Sequence, residues 1–174
     1  MDKMDKHFAM LKKYHEIFEK HKTTEDIGIG IFDVKKKDYI RCGCELLSIE
    51  KSEQFMEVRS IHYHNVVTKK LAEYTLPEWL VCLQEEILLE YAIPIFAGVL
   101  EKYPMLCGMN NEWQVLYDIT RLNHDFWKMN TEWKVYFGKL IDEILGKYGQ
   151  DVVVETIPEE YINQFKIFSA WNKE

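Results

Sequence analysis

Two cysteines and two histidines lie close together in the sequence and are the residues best suited to chemistry. Cys42 and Cys44 are separated by one residue, and so are His62 and His64. Thiolate and imidazole groups are the usual ligands of structural zinc, which binds four of them in a tetrahedron. One hypothesis is therefore that these four residues form a zinc site, with zinc as the cofactor.

The spacing within each pair argues against that hypothesis. Zinc sites commonly use cysteines two to four residues apart, because a tight turn then directs both sulfurs at one ion. Side chains two apart point to opposite faces of a strand and lie about 200° apart around a helix. Each pair therefore offers one ligand unless the backbone turns at Gly43 and Tyr63. The alternative is that all four side chains simply pack, and that the protein has no cofactor.

A second candidate site lies in residues 112–128, which we predict to form one helix. Helical spacing places a mainly aromatic stripe on one side of it, formed by Trp113, Tyr117, Thr120, His124 and Trp127. One interpretation is an aromatic-walled ligand pocket with His124 as its polar group. The alternative is a core helix whose Trp, Tyr and His tips are hydrogen-bonded.

Other catalytic patterns are weak or missing in the sequence. Glu86 and Glu90 are one helical turn apart, as in carboxylate metal sites of helical bundles, but no Glu-x-x-His pair accompanies them. A solvated helix face explains them equally well. The sequence contains no nucleotide-binding glycine motif, hydrolase elbow or zinc-protease motif. We therefore assign no catalytic residue.

Periodicity predicts a mainly α-helical bundle of about six helices in one domain, residues 1–174. The apolar pattern and the positions of Gly and Pro favour helices over 2–22, most of 44–75, 77–103 with a kink or break at Pro94, 112–128, 130–148 and about 156–171.

The ends of these helices carry further predictions. Gly149 suits a helix C-terminus, and Thr156 with Glu159 matches a capping box around Pro158. Residues 27–44 favour a small β-hairpin or an irregular segment, because Gly28 and Gly30 alternate with isoleucine in a manner unfavourable to a helix. The return strand of the hairpin would be residues 39–44. A helix is the alternative over 27–44, and a strand is the alternative over 61–67.

Charge is distributed unevenly along the chain. Residues 1–75 carry 14 basic and 13 acidic residues, whereas residues 76–174 carry 8 basic and 16 acidic residues. An acidic surface repels phosphate backbones and attracts basic proteins, so we expect a protein partner and no nucleic acid. The simpler explanation of the charge is solubility.

Neither the N-terminus nor the most apolar window of the sequence indicates a membrane location. The first ten residues lack the apolar run of a signal peptide, and the most apolar window, Leu80–Leu100, contains three glutamates. We expect a cytoplasmic, bacterial protein with reduced cysteines and no membrane contact.

These observations favour a non-enzymatic helical binding protein, a regulator, inhibitor or immunity-type protein that presents its acidic C-terminal half to a protein partner. One alternative is a metal- or ligand-dependent enzyme that uses the segment from Cys42 to His64 or the stripe around His124. Another is a domain whose specific activity is self-association into a homo-oligomer.

Overall fold

The computed structural model describes residues 3–22 and 36–173. These residues form ten α-helices, eight of them seven or more residues long, and no strand. The prediction of a mainly α-helical protein is confirmed. The predicted number of about six helices is too low, because turns divide several of the long helices. The chain divides into two compact units, Met1–Lys102 and Tyr103–Glu174. The single-domain interpretation stays a prediction.

The first unit contains the helices α1 to α6. Their bounds are α1 Lys3–His21, α2 Gly43–Leu46, α3 Ile49–Glu57, α4 Ile61–Thr68, α5 Leu76–Gln84 and α6 Leu89–Lys102, with short 3₁₀ helices at Lys36–Ile40 and Leu71–Glu73. Helix α4 packs against α3 and α5, and α5 packs against α6. Residues 44–75 are therefore mainly helical as predicted, but in several short helices.

The amphipathic helix predicted at the N-terminus is confirmed as α1. Tyr14 and Phe18 are buried, and the Phe18 ring lies 5.7 Å from the Phe96 ring of α6. Met4 and Phe8, nearer the start of the helix, are exposed. Helix α1 therefore packs within the unit mainly through its C-terminal half.

The long helix predicted over 77–103 is divided, but at a different place. It ends as α5 at Gln84, and α6 continues through Pro94. The turn between them has positive φ angles at Glu86 and Leu88. The Ile87 amide donates a hydrogen bond to the Cys82 carbonyl, which closes the end of α5. The prediction of a break at Pro94 was wrong, because this backbone turn ends the helix earlier and α6 runs through Pro94. The kink at Pro94, which was the alternative, stays a prediction.

The hairpin predicted over 27–44 is not formed in its described part. Residues 27–35 lie outside the described residues. The return strand was expected over 39–44, but Lys36–Ile40 is a 3₁₀ helix and Gly43–Leu46 is the short helix α2. The backbone around Cys42 forms an isolated antiparallel bridge with Lys70. The prediction of a return strand was wrong, because most of this segment is helical and the extended backbone at Cys42 pairs with Lys70, in the connection after α4.

The second unit contains the helices α7 to α10. Their bounds are α7 Gln114–Thr120, α8 His124–Met129, α9 Thr131–Lys147 and α10 Glu159–Asn172, with a 3₁₀ helix at Val154–Thr156. Helix α10 packs against both α9 and α7. Over the described parts of both units, no helix has the length and hydropathy needed to cross a membrane.

The single helix predicted over 112–128 is two helices. Helix α7 ends at Thr120, and the Asn123 side chain accepts a hydrogen bond from the Asp125 amide at the start of α8, with 2.9 Å between the atoms. Asparagine is a strong N-cap, and it begins a new helix here. The stripe derived from one continuous helix is therefore divided between two.

Two cap predictions in this unit have different outcomes. Gly149 follows the end of α9 with a φ of 85°, so the predicted glycine cap is confirmed. The predicted capping box at the start of α10 is absent, because Pro158 is the N-cap of α10 and Thr156 belongs to the preceding 3₁₀ helix.

Candidate functional site

The four residues of the zinc hypothesis are not arranged around a common point. Cys42 and Cys44 form a disulfide with 5.4 Å between their Cα atoms. The backbone does turn at Gly43, which begins α2. The expectation that all four cysteines are reduced was therefore wrong for this pair, because the turn at Gly43 brings the two sulfurs together. Cys82 and Cys107 are free and buried.

The two histidines lie on α4 and have separate surroundings. His62 Nδ1 is 3.3 Å from Oε1 of Glu78. His64 Nε2 is buried and forms no hydrogen bond to a described residue. Over residues 3–22 and 36–173, no three His, Cys, Asp or Glu side chains are grouped to hold a metal ion. Zinc at these residues stays a prediction, and it would require the two cysteines in their thiol form.

Glu78 is a functional group that the sequence interpretation did not single out. It is buried in the first turn of α5, with 1% of its surface exposed. Its carboxylate accepts hydrogen bonds from the Asn65 amide at 2.8 Å and from the Thr75 backbone amide at 2.8 Å. Burial raises its pKa, but the hydrogen bonds from Thr75, Asn65 and His62 outweigh burial and lower the pKa to about 2. Glu78 thus remains a charged acceptor that joins α4 to α5.

The aromatic stripe of the second unit is mostly packed. Trp113 and Trp127 are buried. The Trp113 indole donates a hydrogen bond to the Thr156 hydroxyl at 3.2 Å, and the Trp127 ring packs edge-to-face with Phe126 and Phe168. Both tryptophans therefore fill the interior of the unit.

Tyr117 connects α7 to the start of α10. Its ring stacks on Tyr161, with 4.0 Å between the ring centroids, and its hydroxyl donates to Glu160 at 2.6 Å. Arg121 donates to the same hydroxyl at 3.3 Å. The hydrogen bond to Glu160 is the main reason that the pKa of Tyr117 is raised. This contact stabilises the packing of α7 on α10.

Two residues of the stripe, Thr120 and His124, line an open cavity. This cavity, the His124–Trp171 cleft, has a volume of about 410 Å³ and is lined by Thr120, His124, Gln164, Ile167, Phe168, Ala170 and Trp171. Helix α10 supplies most of the lining, because residues 164, 167, 168 and 171 share one face of a helix. Helix α8 adds the imidazole.

Trp171 is held in place from several sides. The His124 ring stacks on it, with 4.5 Å between centroids and 24° between planes. Phe168 contacts the indole with its edge. Lys134 Nζ lies 3.9 Å from the indole centroid and donates a hydrogen bond to the Trp171 carbonyl at 2.9 Å. The aromatic wall of the cleft is therefore preorganised.

The polar groups of the cleft already have internal roles. The Thr120 hydroxyl donates to the Tyr117 carbonyl at 2.7 Å. Gln164 Nε2 donates to the Thr120 carbonyl at 3.1 Å, and its side-chain oxygen takes no part in that bond. The cleft can thus offer an amide oxygen and an imidazole to a bound group, with apolar contact elsewhere.

The sequence interpretation missed the larger part of this cleft. Gln164, Ile167 and Trp171 follow helical spacing in the terminal helix, so their common face could have been recognised. The missing information was that this face lies beside His124. No family model, curated protein or solved structure matches the chain significantly.

Proposed function

We propose that the protein is a non-enzymatic helical binding protein whose C-terminal unit holds a basic protein partner at the His124–Trp171 cleft. The composition of the cleft carries the proposal. Four of its seven lining residues are apolar, and His124 is the only ionisable one. Apolar and aromatic surface with few polar groups is typical of binding sites.

The apolar residues of the cleft combine exposure with rigidity. Ile167 is 65% exposed, although it is a large aliphatic residue. Phe168 is buried, and its ring centroid lies 5.1 Å from that of Trp127 in an edge-to-face arrangement. Because Phe168 and Trp171 are fixed by their neighbours, little side-chain entropy is lost when an apolar group enters. Such positions are where interfaces gain most of their affinity.

The charge around the cleft favours a basic partner. Residues 103–174 contain 11 acidic and 7 basic residues. Glu160 is exposed one turn before Gln164 on α10, and Asp125 is exposed next to His124. Carboxylates at the edge of an apolar site attract lysine and arginine side chains and orient the approaching protein.

The cleft gives less support to the enzyme alternative. An imidazole that acts as a general base must reach the proton that it removes, for example from a hydroxyl or thiol nucleophile. The Thr120 hydroxyl already donates to a backbone carbonyl, and no thiol lines the cleft. His124 is engaged in stacking on Trp171. These contacts support recognition over catalysis.

A matched pair of substitutions tests the proposal. Ile167→Lys places a positive charge in the cleft, and Ile49→Lys places the same charge at a similarly exposed isoleucine of the first unit, 80% exposed against 65%. Proteins from the native host that bind the wild type would be identified and then titrated against each variant. We expect a basic protein whose affinity falls about tenfold or more with Ile167→Lys, because the lysine removes apolar contact and repels a basic partner. Equal binding by both variants, or only acidic ligands, would contradict the proposal.

A small apolar molecule is a second candidate for the cleft. The volume of about 410 Å³ falls within the range of known small-molecule pockets. Native mass spectrometry of the purified protein separates the two candidates. A bound mass that Trp171→Ala removes would favour a small ligand, whereas ligand-free protein that still binds the basic partner would favour the protein interface.

A further inference from the structure

We propose that Cys42 and Cys44 form a reversible thiol–disulfide redox site that exchanges with dithiol reductants. The proposal is independent of the binding function assigned to the second unit. A single residue, Gly43, separates the two cysteines, so the disulfide closes a small ring. A disulfide stabilises a fold mainly by restricting the unfolded chain, and this effect grows with the length of the closed loop. A bond across one residue therefore adds little stability.

The bond is accessible to a reactant. Cys44 is exposed and Cys42 is half-buried. Exchange requires a thiolate to approach a sulfur atom along the direction of the bond, so exposure of one sulfur is a condition for reaction. Cys44 is the more exposed of the two cysteines, so we expect its sulfur to be the one attacked.

The backbone around the bond is held independently of the sulfurs. The Gly43 amide donates to the Lys69 carbonyl at 3.2 Å, and the Leu71 amide donates to the Arg41 carbonyl at 3.1 Å. Gly43 is buried against the Val66 carbonyl and the Tyr74 hydroxyl. These contacts remain when the sulfur–sulfur bond is broken. The two thiols therefore stay close together, and their bond can form again.

One thiol of the reduced form has a hydrogen-bond acceptor nearby. Glu45 Oε1 lies 3.6 Å from Cys42 Sγ. When Cys42 becomes a thiol, its S–H group can donate to this carboxylate, so the dithiol form is locally satisfied. Both oxidation states are thus compatible with the same backbone.

The exchange balances with a dithiol as the reductant. One thiolate of the reductant attacks Cys44 Sγ, a mixed disulfide forms, and Cys42 leaves as a thiolate that takes a proton. The second thiol of the reductant then attacks the mixed disulfide and releases Cys44, which is protonated in turn. Two electrons and two protons pass to the protein, and the reductant becomes a cyclic disulfide.

Thiol labelling tests this redox site in the intact, folded protein. The protein is equilibrated with mixtures of reduced and oxidised dithiothreitol and labelled with iodoacetamide without denaturant. The mass of the intact protein is then measured by mass spectrometry. We expect no adduct on the oxidised protein and two adducts, at Cys42 and Cys44, on the reduced protein. The labelled fraction should follow one two-electron curve, and the far-ultraviolet circular dichroism should not change.

The buried thiols act as internal controls. Burial raises the pKa of the Cys82 thiol well above its usual range and that of Cys107 to about 11, so neither should be labelled in the folded protein. Cys82→Ser should give the same two-adduct curve. Adducts on protein equilibrated with oxidised dithiothreitol would overturn the proposal. So would any pattern other than two adducts after reduction, or a loss of helical signal on reduction.

Discussion

Nδ1 of His62 lies 3.3 Å from Oε1 of Glu78, so a histidine predicted as a zinc ligand contacts a buried carboxylate. The same carboxylate accepts hydrogen bonds from Asn65 and from Thr75. Glu78 therefore joins the end of α4, the connection after it and the first turn of α5. The consequences of this junction are testable through stability.

We expect Glu78→Ala to lower the free energy of unfolding by about 3 kcal/mol, because it leaves the Asn65 amide and the Thr75 backbone amide without their acceptor. Urea denaturation at neutral pH measures the change. Glu101→Ala is the control, since Glu101 is exposed near the end of α6, and it should change stability by less than about 0.5 kcal/mol. Similar effects of both substitutions would show that the network does not stabilise the fold.

Glu78 also predicts a loss of stability in acid. Its pKa falls from 4.5 to about 2 on folding, so the folded state holds this proton less tightly than the unfolded state. The stability that it contributes is present above pH 4.5 and is lost as the pH falls toward 2. Linkage gives a loss of about 2 kcal/mol between pH 6 and pH 3. Urea denaturation at these two pH values should show a smaller loss for Glu78→Gln than for the wild type.

The raised pKa of Asp118 on α7 predicts that stability changes with pH in the opposite direction. Burial raises its pKa from 3.8 to about 6, against the opposing effects of Arg121 and Gln114. The folded state holds this proton more tightly, so the contribution of Asp118 to stability falls as the pH rises from about 4 to 6.

Asp118→Asn should therefore raise the free energy of unfolding at pH 7 by about 2 kcal/mol and change it little at pH 4. Thermal unfolding monitored by circular dichroism at both pH values checks this. Asp125→Asn is the control, because Asp125 is exposed and paired with Lys128. A gain of stability that does not depend on pH would contradict the assignment to Asp118.

Gly43 and Gly146 make a matched pair of glycine substitutions. A Cβ atom at Gly43 would lie 1.7 Å from the Val66 carbonyl oxygen, whereas a Cβ atom at Gly146 meets nothing within 4 Å. Gly43→Ala should lower the free energy of unfolding by about 3 kcal/mol or more, because the backbone of α4 has to move. Gly146→Ala lies inside α9 and should stabilise the protein by about 0.5–1 kcal/mol. Chemical denaturation of both variants compares them, and equal effects would show that Gly43 is not closely packed.

The helices themselves were largely predictable, and their interruptions were not. The apolar spacing of α1 and α9, and the glycine after α9, are local features that depend on residues a few positions apart. The turn after Gln84 depends on a backbone conformation with positive φ at Glu86 and Leu88, which these residue types rarely adopt. The new start at His124 depends on the Asn123 cap, whose signal the continuous aromatic pattern obscured.

The sequence by itself determined that the protein is helical, where several of its helices lie and which of their faces are apolar. Only the tertiary structure decided what those faces meet. His124 and Trp171 belong to different helices, and their stacking forms the cleft. Glu78 becomes a buried anion because Asn65 and His62 of α4 approach it. The physical reason is that periodicity depends on neighbours along one helix, whereas a cleft or a buried charge depends on which other helix covers it.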